Sequence, residues 1–122
     1  MKPSKFVIIL LALAAPLSTP NIANAADAEG GLLVVKALGN LNGQALACSE
    51  VQAAARAKSL MLAHAPKTAR FGAAYEEATQ AAYLAQTRLS GACPDATHLT
   101  DQLNQLAMQL AATLPVIVPE SK

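Results

Sequence analysis

Five leucines near the C-terminal end, Leu99, Leu103, Leu106, Leu110 and Leu114, recur at steps of four, three, four and four residues. That spacing keeps one side of an α-helix continuously apolar and requires a partner surface to cover it. Nothing in the chain offers a β-sheet as that partner. From Gly30 onward no run of β-branched or aromatic residues alternates with period two, so the cover must come from other helices. The sequence therefore predicts an all-α domain.

Three further helices follow from the same periodicity. The first is expected from about Glu29 to Ala47, on the stripe Val34, Leu38, Leu41, Ala45 and Cys48, with Leu33 and Val35 beside it. Gly39, Asn40, Asn42 and Gly43 interrupt it with poor helix formers, each glycine costing about 1 kcal/mol against alanine. The sequence leaves open whether this helix continues past Gly39. The second is expected after Ser49, which stands three residues before Gln52 as in a capping box, and runs to about His64 before Pro66 stops it. Ala54, Ala57 and Met61 share its apolar face, flanked by Leu60 and Leu62.

Thr68 is the expected N-cap of the third helix, whose stripe is Phe71, Tyr75, Ala78, Ala82, Ala85 and Leu89, with Ser90-Gly91 as its stop. Pro94 suits the first turn of the fourth, the leucine helix. Four such helices with short connections predict an up-down-up-down bundle. In that topology Cys48, closing the first helix, and Cys93, opening the fourth, lie at the same end. A Cys48 to Cys93 disulfide is the consequence, and closing a loop of that length contributes about 4 kcal/mol by loss of chain entropy in the unfolded state.

An oxidised pair fits an exported chain, and the N-terminus reads as an export signal. Lys2 and Lys5 precede the apolar run Phe6 to Ala15, and Ala23-Asn24-Ala25 has the A-x-A form of a cleavage site, placing the cut after Ala25. The run is about ten residues, half of the roughly 20 that span a bilayer, so no transmembrane anchor is expected after the signal is removed. Residues 26–122 then form a single helical domain, with a short apolar tail, 115–122, in which Pro115 and Pro119 fence off Val116-Ile117-Val118. Ala45-Leu46-Ala47-Cys48 resembles a lipidation box but stands too far from the signal to act as one. The expected location is the periplasm.

Charge and composition exclude several functions. Removing residues 1–25 takes away two of nine Lys and Arg and none of eight Asp and Glu, leaving a net charge of −1. With aromatics at 3%, the chain lacks both the basic clusters and the stacking platforms of a nucleic-acid binder. Cys48 and Cys93 are too far apart in sequence for a C-x-x-C redox pair or c-type haem attachment, and their expected role is structural.

The candidate sites are sparse. His64, Lys67 and Arg70 gather at the turn before the third helix, where free backbone N–H groups favour an anion. The ordinary reading of the same residues is a solvated connection whose positive charges favour the end of the preceding helix. Met61 and His64, with Met108 toward the same end, and Asp95, His98 and Asp101 at steps of three are incomplete ligand sets, more simply read as core filling and helix-start acids. No metal or other cofactor is expected. The neighbours Glu76 and Glu77 diverge by about 100° on a helix, a poor arrangement for paired acid and base. No G-x-S-x-G or phosphate-binding glycine loop is present, so no catalytic residue is expected and the chain is not read as an enzyme.

The expectation is an accessory protein that binds another envelope protein through a weakly charged, Ala-rich face or the apolar tail. Two alternatives stand beside it: an envelope stress chaperone that exposes apolar surface while its crosslink holds, and a small anion- or metal-binding protein using the turn after the second helix.

Overall fold

A computed structural model describes residues 22–89 and 92–116. The basic start and apolar run of the expected signal, the Ser90-Gly91 stop and most of the apolar tail lie outside the described residues. Among the described residues there are four helices: α1 (Ile22–Ala47), α2 (Val51–His64), α3 (Ala69–Arg88) and α4 (Ala96–Thr113). They form an all-α bundle in which successive helices reverse direction, as the short connections imply.

The neighbours are unequal. α1 packs on all three other helices, α2 and α4 also pack on each other, and among the described residues α3 approaches α1 alone. Leu38, Val35, Leu99, Leu103 and Leu110 are the largest fully buried side chains. Four leucines of the seam are buried on α4, with Leu114 half-buried, so this stripe meets the partner surface it demands in α1 and α2. Phe71 and Ala74 join the core from α3, whose other buried positions are Ala82 and Gln86.

α1 is unbroken through Gly39 and Gly43 because packing there outweighs propensity. A Cβ at Gly39 would lie 2.5 Å from the Tyr75 carbonyl oxygen and 3.0 Å from the Ala78 Cβ. One at Gly43 would run into the Thr79 carbonyl oxygen and lie 2.8 Å from the Tyr83 amide nitrogen. The two glycines, one turn apart, thus form a notch into which the α3 backbone is set. Matched steps of four on both helices show that α1 and α3 run parallel. Between the glycines, buried Asn42 donates to the Thr79 hydroxyl at 3.3 Å, and that hydroxyl donates to the Tyr75 carbonyl at 2.8 Å.

The helix ends depart from several local expectations. Ser49 does not cap α2: the N-cap is Glu50, with no side-chain cap bond, because Ser49 is taken up in closing α1. Its φ is 59°, and the Ser49 and Glu50 amides donate to the carbonyls of Leu46 and Ala45 at 3.3 and 2.8 Å. This is a Schellman closure with serine at the left-handed position usually held by glycine. α1 begins at Ile22, ahead of Glu29, through an alanine-rich stretch that favours helix. Pro94 stands before the N-cap, Asp95, whose carboxylate accepts from the His98 amide at 2.7 Å. Thr68 caps α3 as expected, its hydroxyl accepting from Phe71 N at 3.4 Å. At the other end of α3 the apolar stripe fails: Ala85 and Leu89 are exposed and Gln86 is buried. Its amide donates to the Ala92 carbonyl at 2.8 Å, which an alanine or leucine cannot do.

Cys48 and Cys93 are bonded, with Cα atoms 5.8 Å apart. Gln86 therefore secures the segment that carries one half of the bridge.

Two substitutions separate the role of the notch from helix propensity. Gly43→Ala forces a methyl group against α3 backbone and is expected to lower stability by about 3 kcal/mol, the upper range for overpacking. Gly72→Ala, where a Cβ meets nothing within 4 Å, is expected to raise it by up to about 1 kcal/mol. Denaturant melts of both variants check this, and equal effects would remove the notch from the account. At Ser49 the left-handed backbone disfavours any side chain, so Ser49→Gly is expected to raise the melting midpoint by up to about 1 kcal/mol of stability.

Candidate binding surfaces

The turn between α2 and α3 holds the three residues of the expected anion site, and each is directed to its own acceptor. His64 donates through Nδ1 to the Leu114 carbonyl at the end of α4, at 2.6 Å. Lys67 Nζ donates to the Leu62 carbonyl at 2.6 Å, satisfying a carbonyl in the last turn of α2. Arg70 pairs with Glu29 of α1 at 2.5 Å, with both side chains more than half exposed. Such an exposed pair contributes at most about 1 kcal/mol. His64 thus ties the end of α2 to the end of α4 and Arg70 ties α3 to α1, while Lys67 closes the end of α2 itself, and Thr68 already takes one free amide of α3.

The other sequence candidates are dispersed. Met61 packs half-buried against the core, whereas Met108 is 67% exposed, so they do not face a common centre with His64. Asp95 caps α4, and His98 and Asp101 are exposed. Among the described residues no group of three His, Cys, Asp or Glu side chains is placed to hold a metal ion. Glu76 and Glu77 are exposed on α3. No helix among the described residues is long and apolar enough to cross a membrane.

The surfaces that the sequence reading missed follow from the isolation of α3. A helix that touches only one neighbour leaves a groove along each flank. On one flank, Leu46 of α1 and Tyr83 and Leu84 of α3 line a hollow of about 320 Å³ with Thr79 and Gln80. Leu46, Tyr83 and Leu84 are 49%, 43% and 54% exposed, and no charged side chain lines the hollow. On the other flank a groove of about 520 Å³ lies between α3 and α4, with α1 as its floor. Its lining is chiefly carboxamides above small apolar side chains. Neither groove has a local sequence signature, because each joins residues of different helices.

The Tyr75 hydroxyl is buried without a hydrogen-bond partner. Burial pushes its pKa up to about 12 from an ordinary 10. The protonated phenol is thus the form the fold favours, and its contribution is intact below pH 10 and lost as pH rises through 12. Tyr75→Phe removes the orphaned hydroxyl and keeps the ring. Its stability at pH 7 is expected to equal or exceed that of the parent by about 1 kcal/mol, and its decline between pH 10 and 12 to be shallower. Chemical denaturation at pH 7, 10 and 12 checks both; a loss of more than about 1 kcal/mol at pH 7 would mean that the hydroxyl has a partner.

Comparison with protein-family models, with curated proteins and with solved structures finds no match to this chain.

Proposed function

We propose that this chain is an exported accessory protein of the cell envelope that acts by binding another envelope protein and performs no catalysis. The observation that carries the reading is the apolar hollow beside α3, where Leu46, Tyr83 and Leu84 stand together half-exposed with no charge among them. Large apolar and aromatic side chains gathered without intervening charge are what the centre of a protein interface is made of. Export supplies the setting: the Lys2 and Lys5 start, the short apolar run and the A-x-A motif would deliver the chain to an oxidising compartment in which Cys48 and Cys93 remain bonded. A cut after Ala25 would remove only the first turn of α1, outside the glycine notch. The small-anion reading is weaker, because His64, Lys67 and Arg70 already hold protein acceptors.

The test is native mass spectrometry of the protein drawn from its own envelope fraction, with Leu84→Lys in parallel. The expected result is a mass matching residues 26–122 that rises by two hydrogens on reduction, within a stoichiometric complex that the lysine variant loses while keeping its helical content. A free monomer in both samples would overturn the binding reading, and an intact N-terminus would overturn the processing step. A retained small molecule or metal would replace a protein partner with a ligand.

A further inference from the structure

The larger groove differs in chemistry from the apolar hollow. Its length follows from α1: the eight steps from Lys36 to Gln44 rise about 12 Å. Along that span Asn40 and Gln44 stand on the α1 side and Gln102, Gln105 and Gln109 on the α4 side. Leu41 and Leu106 form the base, and the α3 wall is low because Ala78 and Ala81 compose it. Within the lining, the contact between Gln44 and Asn40 is the one hydrogen bond between these amides, at 3.0 Å, so most of their donors and acceptors face the groove or water. Lys36 is the one charged residue of the lining, and it forms no ion pair among the described residues.

We infer that this groove is a binding site for an extended peptide segment, held along its backbone by Asn40, Gln44, Gln102, Gln105 and Gln109, with a carboxylate of the segment at Lys36. A carboxamide carries both a donor and an acceptor, and so matches the peptide group, which offers the same two. An extended strand has those groups free, whereas a helix has already satisfied its own. At roughly 3.3 Å per residue, about four residues of strand span the 12 Å of groove. The single unpaired ammonium sets the charge of the occupant and, by standing at one end of the span, its direction. No aromatic ring lines the groove to stack on a sugar. This site is separate from the apolar hollow and does not depend on export.

The probe is the blocked peptide acetyl-Ala-Ala-Ala-Glu-amide, with acetyl-Ala-Ala-Ala-Gln-amide as its uncharged counterpart, titrated into the full helical domain labelled with nitrogen-15. Asn and Gln side-chain amides give their own proton–nitrogen signals, so the proposed contacts are read directly. The expected result is saturable shifts of the five carboxamide signals at roughly 0.1 to 1 mM peptide, with the glutamate peptide binding about threefold more tightly, the scale of an exposed ion pair. Lys36→Met should abolish that preference and leave the weaker binding. Ala81→Trp, at an exposed position, should fill the groove and remove binding of both peptides without changing the melting temperature. Absence of saturable shifts with either peptide up to about 5 mM overturns the proposal. So do shifts confined to Leu46, Tyr83 and Leu84. Shifts of the same amides by a β-1,4-linked N-acetylglucosamine tetramer while both peptides are silent would assign the groove to a glycan. Shifts that depend on protein concentration without any probe would assign it to a second copy of the chain.

Discussion

The close approach of two backbones at Gly39 and Gly43 governs how the rest of the molecule is arranged. Hydrogen at both Cα positions lets α3 sit against α1 at a distance that any side chain would forbid. Packing at that range is strong per residue, and α3 needs no second neighbour to be held. The leucine seam of α4 is then left to α1 and α2, which cover it from the other side. The bundle consequently has a core whose leucines come from α1 and α4, which α3 joins only through Phe71 and Ala74 while resting along α1, and this is why open flanks exist at all. An evenly packed four-helix bundle of the same length would bury both grooves.

Polar groups follow the same division. The Asn42 to Thr79 bond and the Thr79 to Tyr75 carbonyl bond lie where α1 meets α3, while the α2 and α4 contact carries the exposed Arg56 to Asn104 bond at 2.7 Å. Buried hydrogen bonds require particular partners at particular positions, so the α1 and α3 junction is fixed in register by Asn42 as well as by shape. The leucine interface is more tolerant, since apolar side chains of similar volume substitute for one another at small cost.

What the sequence made legible was whatever depends on one helix at a time. The leucine steps of four and three located α4 and four of its buried side chains, Thr68 marked the start of α3, and the Cys48 and Cys93 positions followed once helix directions alternated. What stayed hidden depends on two helices together. Gly39 and Gly43 read as weaknesses until the α3 backbone fills the space beside them. Ser49 read as a cap for the following helix because its part in closing the preceding one requires a positive φ that no spacing rule signals. Gln86 interrupts an apolar stripe for the sake of a carbonyl six residues further on. His64, Lys67 and Arg70 stand near one another in sequence at a helix junction, but the acceptors that engage them come from three different segments: Leu114, Leu62 and Glu29.

The disulfide has one further consequence, for the molecule as a linked object. It joins the end of α1 to the start of α4, so α2, α3 and the turn between them belong to a closed covalent ring, while α1 and α4 leave that ring side by side. Pro66, Lys67, Thr68, Ala69 and Arg70 are all exposed on the ring's outer turn. A trypsin-like protease that nicks the chain after Lys67 therefore yields two pieces still tied through Cys48 and Cys93, each contributing one half of the leucine core. Oxidised, a clipped molecule keeps its mass apart from one added water; only reduction lets the halves separate. For a cut between Cys48 and Cys93, the retention of both ends in one molecule is thus a property of chain topology, independent of how stable the fold is.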